Sequence, residues 1–370
     1  MRTIKRLYQE MVDRLPPRLR GKLASARRSV RGQRMTVRLA AARARRRIQS
    51  DRLFVGWLLS ATRDDGPTRM RGLLPHAYLR TRGVHSVVVA QRLRFSELRP
   101  IDLARIVRTR FDVVVFETCN GDSAQELAAM LRAAGTRTVY AVGELRRSRM
   151  PELVDRVVLA SGSLWDLAAG ESAKISVIES PIEAPAGACK DYSRIDRPPS
   201  IRVVWVGYPE NRHLLAPVIQ ALEDPALEGF ELVTISRGPW ATLQWDRARV
   251  WGQLLQGDIA VLPYDQSEWQ RTKPNTRLTM MKALGLPMVA SPIPSFTATL
   301  TDGRGCYFAR DVGDWVRALA ALADPERRRD MGLAERDEVL ARYGPESIGD
   351  RWHELLEDLG RAPAGPVRST

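Results

Sequence analysis

A chain of 370 residues suits two domains of ordinary size, and 44% apolar with 27% charged side chains is the composition of a folded, core-forming protein. Cys119, Cys189 and Cys306 are too few and too scattered for a disulfide framework or a zinc site, and no run of about 18 apolar residues offers a bilayer-spanning helix. The formal charge of +15 is local: residues 1–52 carry 17 basic against 3 acidic side chains, the remainder 41 against 40.

The basic segment begins with Ile4, Leu7, Tyr8, Met11, Val12 and Leu15, an apolar stripe at helical spacing. Lys5 and Arg14 stand among the polar residues beside it, and Pro16 and Pro17 end it. Leu19, Leu23, Ala26 and Val30 continue the pattern before dense arginine up to Arg47. A helix with a basic face and an apolar stripe is suited to an anionic lipid surface. A solvated tail, a helix docked on the body and a nucleic-acid contact are the other readings; the ordered stripe, unnecessary for phosphate contact alone, favours lipid, and no nucleic-acid partner is expected. Ile4, Lys5, Leu7, Tyr8, Met11 and Arg14 are the membrane-facing candidates. These first residues lack an apolar core followed by a small-residue cleavage site, so a secretory signal is not expected.

From Leu53 the pattern changes to short apolar runs alternating with helical segments. Strands are predicted at Leu53–Leu59, Ser86–Ala90, Phe111–Phe116, Thr138–Ala141, Val157–Ala160 and Ile175–Ile178, with helices at Thr68–Arg82 and Ser123–Ala134. The runs are continuously apolar, as parallel strands covered on both faces require. Pro181–Ser200, with four prolines and no periodicity, reads as a linker. A second series follows: strands at Ile201–Val206, Phe230–Ile235, Asp258–Leu262 and Pro287–Ala290, and helices at Asn211–Leu222, Ala248–Gln256 and Thr276–Leu284. Helices at Trp315–Ala323, Pro325–Arg342 and Pro345–Leu359 close the chain. The expectation is α/β, two doubly wound Rossmann-like domains facing across a cleft. The predicted organisation is a basic helical arm (1–52), an N-terminal acceptor domain (53–195), a C-terminal nucleotide-sugar domain (196–344), and a final helix with tail (345–370) packing back on the N-terminal domain.

The most informative stretch runs from Asp258 to Pro294. A buried strand ends at Leu262, and Lys273-Pro274-Asn275-Thr276 opens a helix. Asn275 has the chemistry of an N-cap, which would leave the first N–H groups at Thr276 and Arg277 pointing outward. With the helix dipole and the cations of Lys273 and Arg277 they make a site matched to a phosphate. The alternative is a plain helix cap beside a solvated lysine.

This stretch resembles the C-terminal signature of the group 1 (retaining family 4) GT-B glycosyltransferases, through Lys273, Asn275, Arg277, Ala283, Gly285, Pro287 and Ser291. The segments around Ile201–Leu222 and Asp314–Leu356 are similar to the opening and closing elements of that family's donor domain. The resemblance covers about residues 53–360. It implies a metal-independent transferase without a cofactor, moving a hexose from a nucleotide-diphosphate sugar to a lipid-linked or polysaccharide acceptor, peripherally bound to the cytoplasmic face of the membrane. Gly207, Arg212, Lys273, Asn275, Thr276 and Arg277 would hold the donor. The family's two glutamates fall near Thr272 and Met280 here, leaving Asp265 or Glu268 as substitutes. That departure keeps a non-catalytic GT-B-like binding protein as the alternative.

On the acceptor side Asp64, Asp65, Arg69 and Arg71 follow the first strand, and Glu117 and Asn120 follow the Phe111–Phe116 strand. A general base is expected among these carboxylates, with Glu117 and Asp265 the catalytic candidates. His76, His85, His213 and His353 are widely spread; only His213, close after Gly207, lies near the expected site. Trp205, Trp315 and Trp352 fall in apolar stripes and read as core.

Overall fold

The computed structural model describes residues 17–93, 97–144, 148–164, 174–193 and 200–361. The membrane-facing candidates Ile4, Lys5, Leu7, Tyr8, Met11 and Arg14 lie outside them. Helix α1 (Pro17–Ile48) leads into strand β1 (Phe54–Leu59). Next come the turn Gly66–Thr68, a π-helical turn Arg69–Leu73, α2 (Leu74–Thr81), β2 (His85–Ala90), α3 (Pro100–Val107), β3 (Val113–Glu117) and α4 (Asp122–Ala133). β4 (Arg137–Val142), β5 (Arg156–Leu159) and β6 (Ile175–Val177) finish the first unit. Its sheet is parallel, ordered β2-β1-β3-β4-β5-β6.

The second unit holds β7 (Ile201–Val206), a 3-10 turn Pro209–Leu215, α5 (Ala216–Ala221), β8 (Phe230–Ser236) and β9 (Leu243–Gln244). Then follow α6 (Val250–Leu255), β10 (Ile259–Leu262), α7 (Glu268–Arg271), α8 (Thr276–Ala283), β11 (Met288–Ala290), α9 (Pro294–Thr297) and β12 (Tyr307–Phe308). α10 (Val312–Ala321), α11 (Pro325–Leu333), α12 (Arg336–Tyr343) and α13 (Pro345–Arg361) complete the chain. The second sheet is also parallel, ordered β12-β11-β10-β7-β8-β9. Strand order therefore reverses between β1 and β3 and again between β7 and β10, and ligands of open parallel sheets settle beyond the carboxyl ends at such points.

Both sheets are covered on both faces. All six residues of β1 and all four of β10 are buried, which is why these segments read as unbroken apolar runs. α13 returns to the first unit, where Ile348, Trp352, Leu356 and Leu359 share a core with Val55, Trp57 and Leu59. The Trp57 and Trp352 rings lie 5.4 Å apart. Trp205, Trp315 and Trp352 are each 1% exposed, as core.

Several boundaries differ from expectation. The basic segment is not an appendage as far as residue 52: Met35, Leu39 and Ala42 are buried in the core of the first unit with Phe54 and Val89. Thr36 accepts from Arg105 at 3.0 Å, and Arg46 bonds Asp112 at 2.9 Å, pinning the helix to α3 and to the start of β3. Residues 35, 39 and 42 form one stripe, and this half of the helix is the docked alternative. β9, β12, α7 and α9, of two to four residues, escaped prediction, as did the longer α3. The predicted helix Pro325–Arg342 is two, broken where Glu335 takes a left-handed φ of 58°. Its carboxylate there accepts from the Thr301 N–H (3.1 Å) and hydroxyl (2.7 Å). Buried Lys282 donates to the Met331 carbonyl at 2.6 Å, satisfying the carboxyl end of α11, and burial pushes its pKa down to about 8.

Candidate donor cleft

A cavity of about 240 Å³ opens between the two sheets, lined by both units and by the linker. The π-helical turn supplies Arg69 and Arg71 from the first unit, and Asp65 caps the preceding turn Gly66–Thr68, accepting from the Thr68 N–H at 3.0 Å. Gly143, past β4, leaves space for the Arg71 guanidinium: a Cβ there would lie 2.0 Å from Arg71 Nη1. Glu144 follows at the rim. The linker contributes Glu183, which accepts from Nε and Nη2 of Arg69 in a bidentate pair (Nη2–Oε2 2.7 Å) and lies 3.8 Å from Arg247. Burial works against the Arg69 charge, but the Glu183 hydrogen bond and charge raise its pKa overall.

The second unit provides the other wall. Gly207 follows β7 at the switch point and lines the cavity; a Cβ there would meet the Trp205 ring at 2.2 Å. Lys273, Pro274, Thr276 and Arg277, at the amino end of α8, face into the same space, so the end of this helix points at the gap. Ser295 donates to the Lys273 carbonyl at 2.6 Å and fixes that turn. The Thr279 N–H donates to the Asn275 carbonyl, opening the α8 ladder. Arg69, Arg71, Arg237, Arg247, Lys273 and Arg277 face Asp64, Glu144 and Glu183, an excess of positive charge. Such a wall holds a polyanion through charge-assisted hydrogen bonds. Among the described residues, no three His, Cys, Asp or Glu side chains gather as ligands for a metal ion.

The structure brings together Asp64, Arg69, Arg71, Gly207, Lys273, Thr276 and Arg277. Asn275 is adjacent but does not cap: its Nδ2 donates to Thr299 at 2.9 Å, and its Oδ1 is buried with no hydrogen-bond partner among the described residues. Asp65 serves as the cap just described. Arg212 is exposed and stacks on Trp240 (5.0 Å) outside the cavity, so the expected second cation does not come from it. His213 is exposed too. Asp265 is exposed, held by the Ser267 N–H (2.9 Å) and hydroxyl, and does not line the cavity. Asn120 lies outside as well, its carbonyl accepting from Gln125 at 2.9 Å. Of the two glutamate positions, Met280 lines the cavity, while buried Thr272 donates to the Trp269 carbonyl at 3.0 Å.

Glu117 corrects the sequence reading most sharply. It is 0% exposed. Oε2 accepts from the Ser60 N–H (3.2 Å), the Ser60 hydroxyl (2.8 Å) and the Thr68 hydroxyl (3.1 Å), while Oε1 accepts from Thr118 at 2.9 Å. Arg71 Nη2 lies 3.6 Å away. A carboxylate so occupied ties β1, β3 and the π-helical turn together and has no access to a substrate hydroxyl. Sequence reasoning missed Glu144, Glu183, Arg237 and Arg247, since each stands alone in a different loop.

Two opposed parallel sheets with a cleft between the carboxyl ends of their strands are the architecture of the GT-B fold. Residues 219–356 match the model of the family described as glycosyl transferase-like. Solved structures share the fold over most of the chain. Anabaena Alr3699/HepE in complex with UDP and glucose is 13% identical, covering 82% of this chain and 99% of its own, with a TM-score of 0.61. A glycosyltransferase from Rickettsia africae is 10% identical, covering 84% and 99%, with a TM-score of 0.62. Sucrose-phosphate synthase from Thermosynechococcus elongatus is 12% identical, covering 83% and 99%, with a TM-score of 0.59. No curated protein matches the sequence.

Proposed function

We propose that the protein transfers a sugar from a nucleotide-diphosphate sugar to a lipid-linked or polysaccharide acceptor at the cytoplasmic membrane surface, with retention and without a metal or other cofactor. The observation that supports it most is the amino end of α8, with Lys273 and Arg277, facing the first unit across the cleft. The acceptor hydroxyl oxygen bonds the anomeric carbon on the face from which the diphosphate departs; the leaving diphosphate takes the electron pair and the hydroxyl proton. Fixed cations and N–H groups stabilise that developing charge more than they stabilise the bound donor. Asp64 is the acceptor-side carboxylate of the sequence reading that reaches the cleft. The lipid setting is supported by the apolar stripe of residues 4–15 and the basic residues beside it.

The test is a panel of nucleotide sugars in thermal shift, followed by release of free nucleotide. Lys273→Ala should weaken nucleoside-diphosphate binding about 10- to 100-fold, the loss of roughly 1.5–3 kcal/mol expected for a charge-assisted contact. Unchanged affinity would remove the lysine, and with it this reading of the site. Thr272 and Met280 favour a second reading, a non-catalytic binder; protection by nucleotide without turnover on any acceptor would select it. Removing residues 1–16 should abolish co-sedimentation with anionic vesicles while donor binding persists.

A further inference from the structure

This inference rests on the reading that the cleft takes a nucleotide-diphosphate sugar. Lys273 already has an anionic partner there. Its Nζ donates to Glu144 Oε1 at 3.0 Å and stands 4.1 Å from the centre of the Trp269 ring. The two residues come from opposite units, and their side chains are 17% and 24% exposed. Both line the cavity, so this ion pair joins its walls at the cation expected to meet the diphosphate.

A carboxylate and a phosphate compete for the same ammonium donors. A nucleotide sugar carries two phosphate charges, enough to draw the lysine from one carboxylate when its other oxygens meet Arg277 and the amino end of α8. After transfer the terminal phosphate loses its ester and gains a further ionisation near pH 6, so the product binds cations more tightly than the donor did. Release of such a product limits turnover in many transferring enzymes. We propose that Glu144 is the resident counterion of the donor site: it holds Lys273 between turnovers, yields it to the incoming diphosphate, and reclaims it as the nucleoside diphosphate departs. Glu144 is thus a positioning residue acting through Lys273.

The experiment titrates the full-length protein with UDP, GDP, ADP and inorganic pyrophosphate by calorimetry, then measures donor kinetics. Glu144→Gln should tighten binding of pyrophosphate and of the preferred nucleotide about fivefold, equivalent to roughly 1 kcal/mol. The donor KM and kcat should fall together, with stronger inhibition by the nucleotide product. In a Lys273→Ala background the gain should vanish. Unchanged or weaker affinity in a Glu144→Gln protein that melts like wild type would overturn the proposal, as would a gain that survives loss of the lysine. Glu144→Ala repeats the comparison should the glutamine variant not fold. Wild type that binds none of the four probes would instead overturn the sugar-donor reading itself.

Discussion

Replacing Glu117 by glutamine separates a structural carboxylate from a catalytic one. The side chain is fully buried and accepts four hydrogen bonds, from Ser60 (backbone and hydroxyl), Thr68 and Thr118, at 2.8–3.2 Å. An amide keeps one acceptor oxygen and turns an NH2 group towards donors. It also leaves Arg71, whose side chain is 7% exposed, without its nearest carboxylate. Breaking one partner of a buried pair typically costs about 3–5 kcal/mol, against a total stability of about 5–15 kcal/mol. The urea midpoint, followed by tryptophan fluorescence, should therefore drop sharply. Nucleotide binding should persist at low temperature, because the groups at α8 are untouched. A glutamine variant with the wild-type midpoint but no turnover would refute this and return Glu117 to the reaction.

Leu39→Ala should destabilise the protein by about 2–5 kcal/mol, the range for truncating a buried leucine, since Leu39 is 0% exposed; a thermal midpoint equal to wild type would mean α1 is not docked. By the same logic, deleting residues 1–50 should lower stability while deleting 1–16 should not. His76 is pushed down to about 4 by burial first and by Arg80 second, with its ring nitrogen 2.8 Å from the Ser86 hydroxyl. The unfolded chain takes up that proton near pH 6.5 and the native state does not, so stability falls as pH drops from 6.5 to 4, by roughly 3 kcal/mol. His76→Gln should flatten that part of the stability curve; an unchanged slope would assign the acid loss elsewhere.

Much of the architecture was legible because parallel strands write themselves as unbroken apolar runs, as in Phe54–Leu59 and Ile259–Leu262. The grouping of Lys273, Thr276 and Arg277 at the cleft was legible for a local reason: they are neighbours in sequence at the head of α8. Glu144, Glu183 and Arg247 were hidden because only the fold unites a loop after β4, the linker and the loop before α6. Glu117 misled because a carboxylate after an apolar strand reads as a cleft residue, whereas hydroxyls distant in sequence enclose it. The inward stripe of Met35, Leu39 and Ala42 was masked by the surrounding arginines. Asn275 showed the right chemistry for a cap, but its side chain is turned so that Nδ2 donates to Thr299 and Oδ1 makes no cap bond.

The return of α13 makes the first unit discontinuous, with the whole second unit inserted between β6 and the helix that covers Val55, Trp57 and Leu59. During synthesis that apolar face stays bare until residues 345–361 leave the ribosome, by which time the inserted unit has all its strands. The first unit, although its sheet is made first, therefore completes its core only after the second unit has been synthesised.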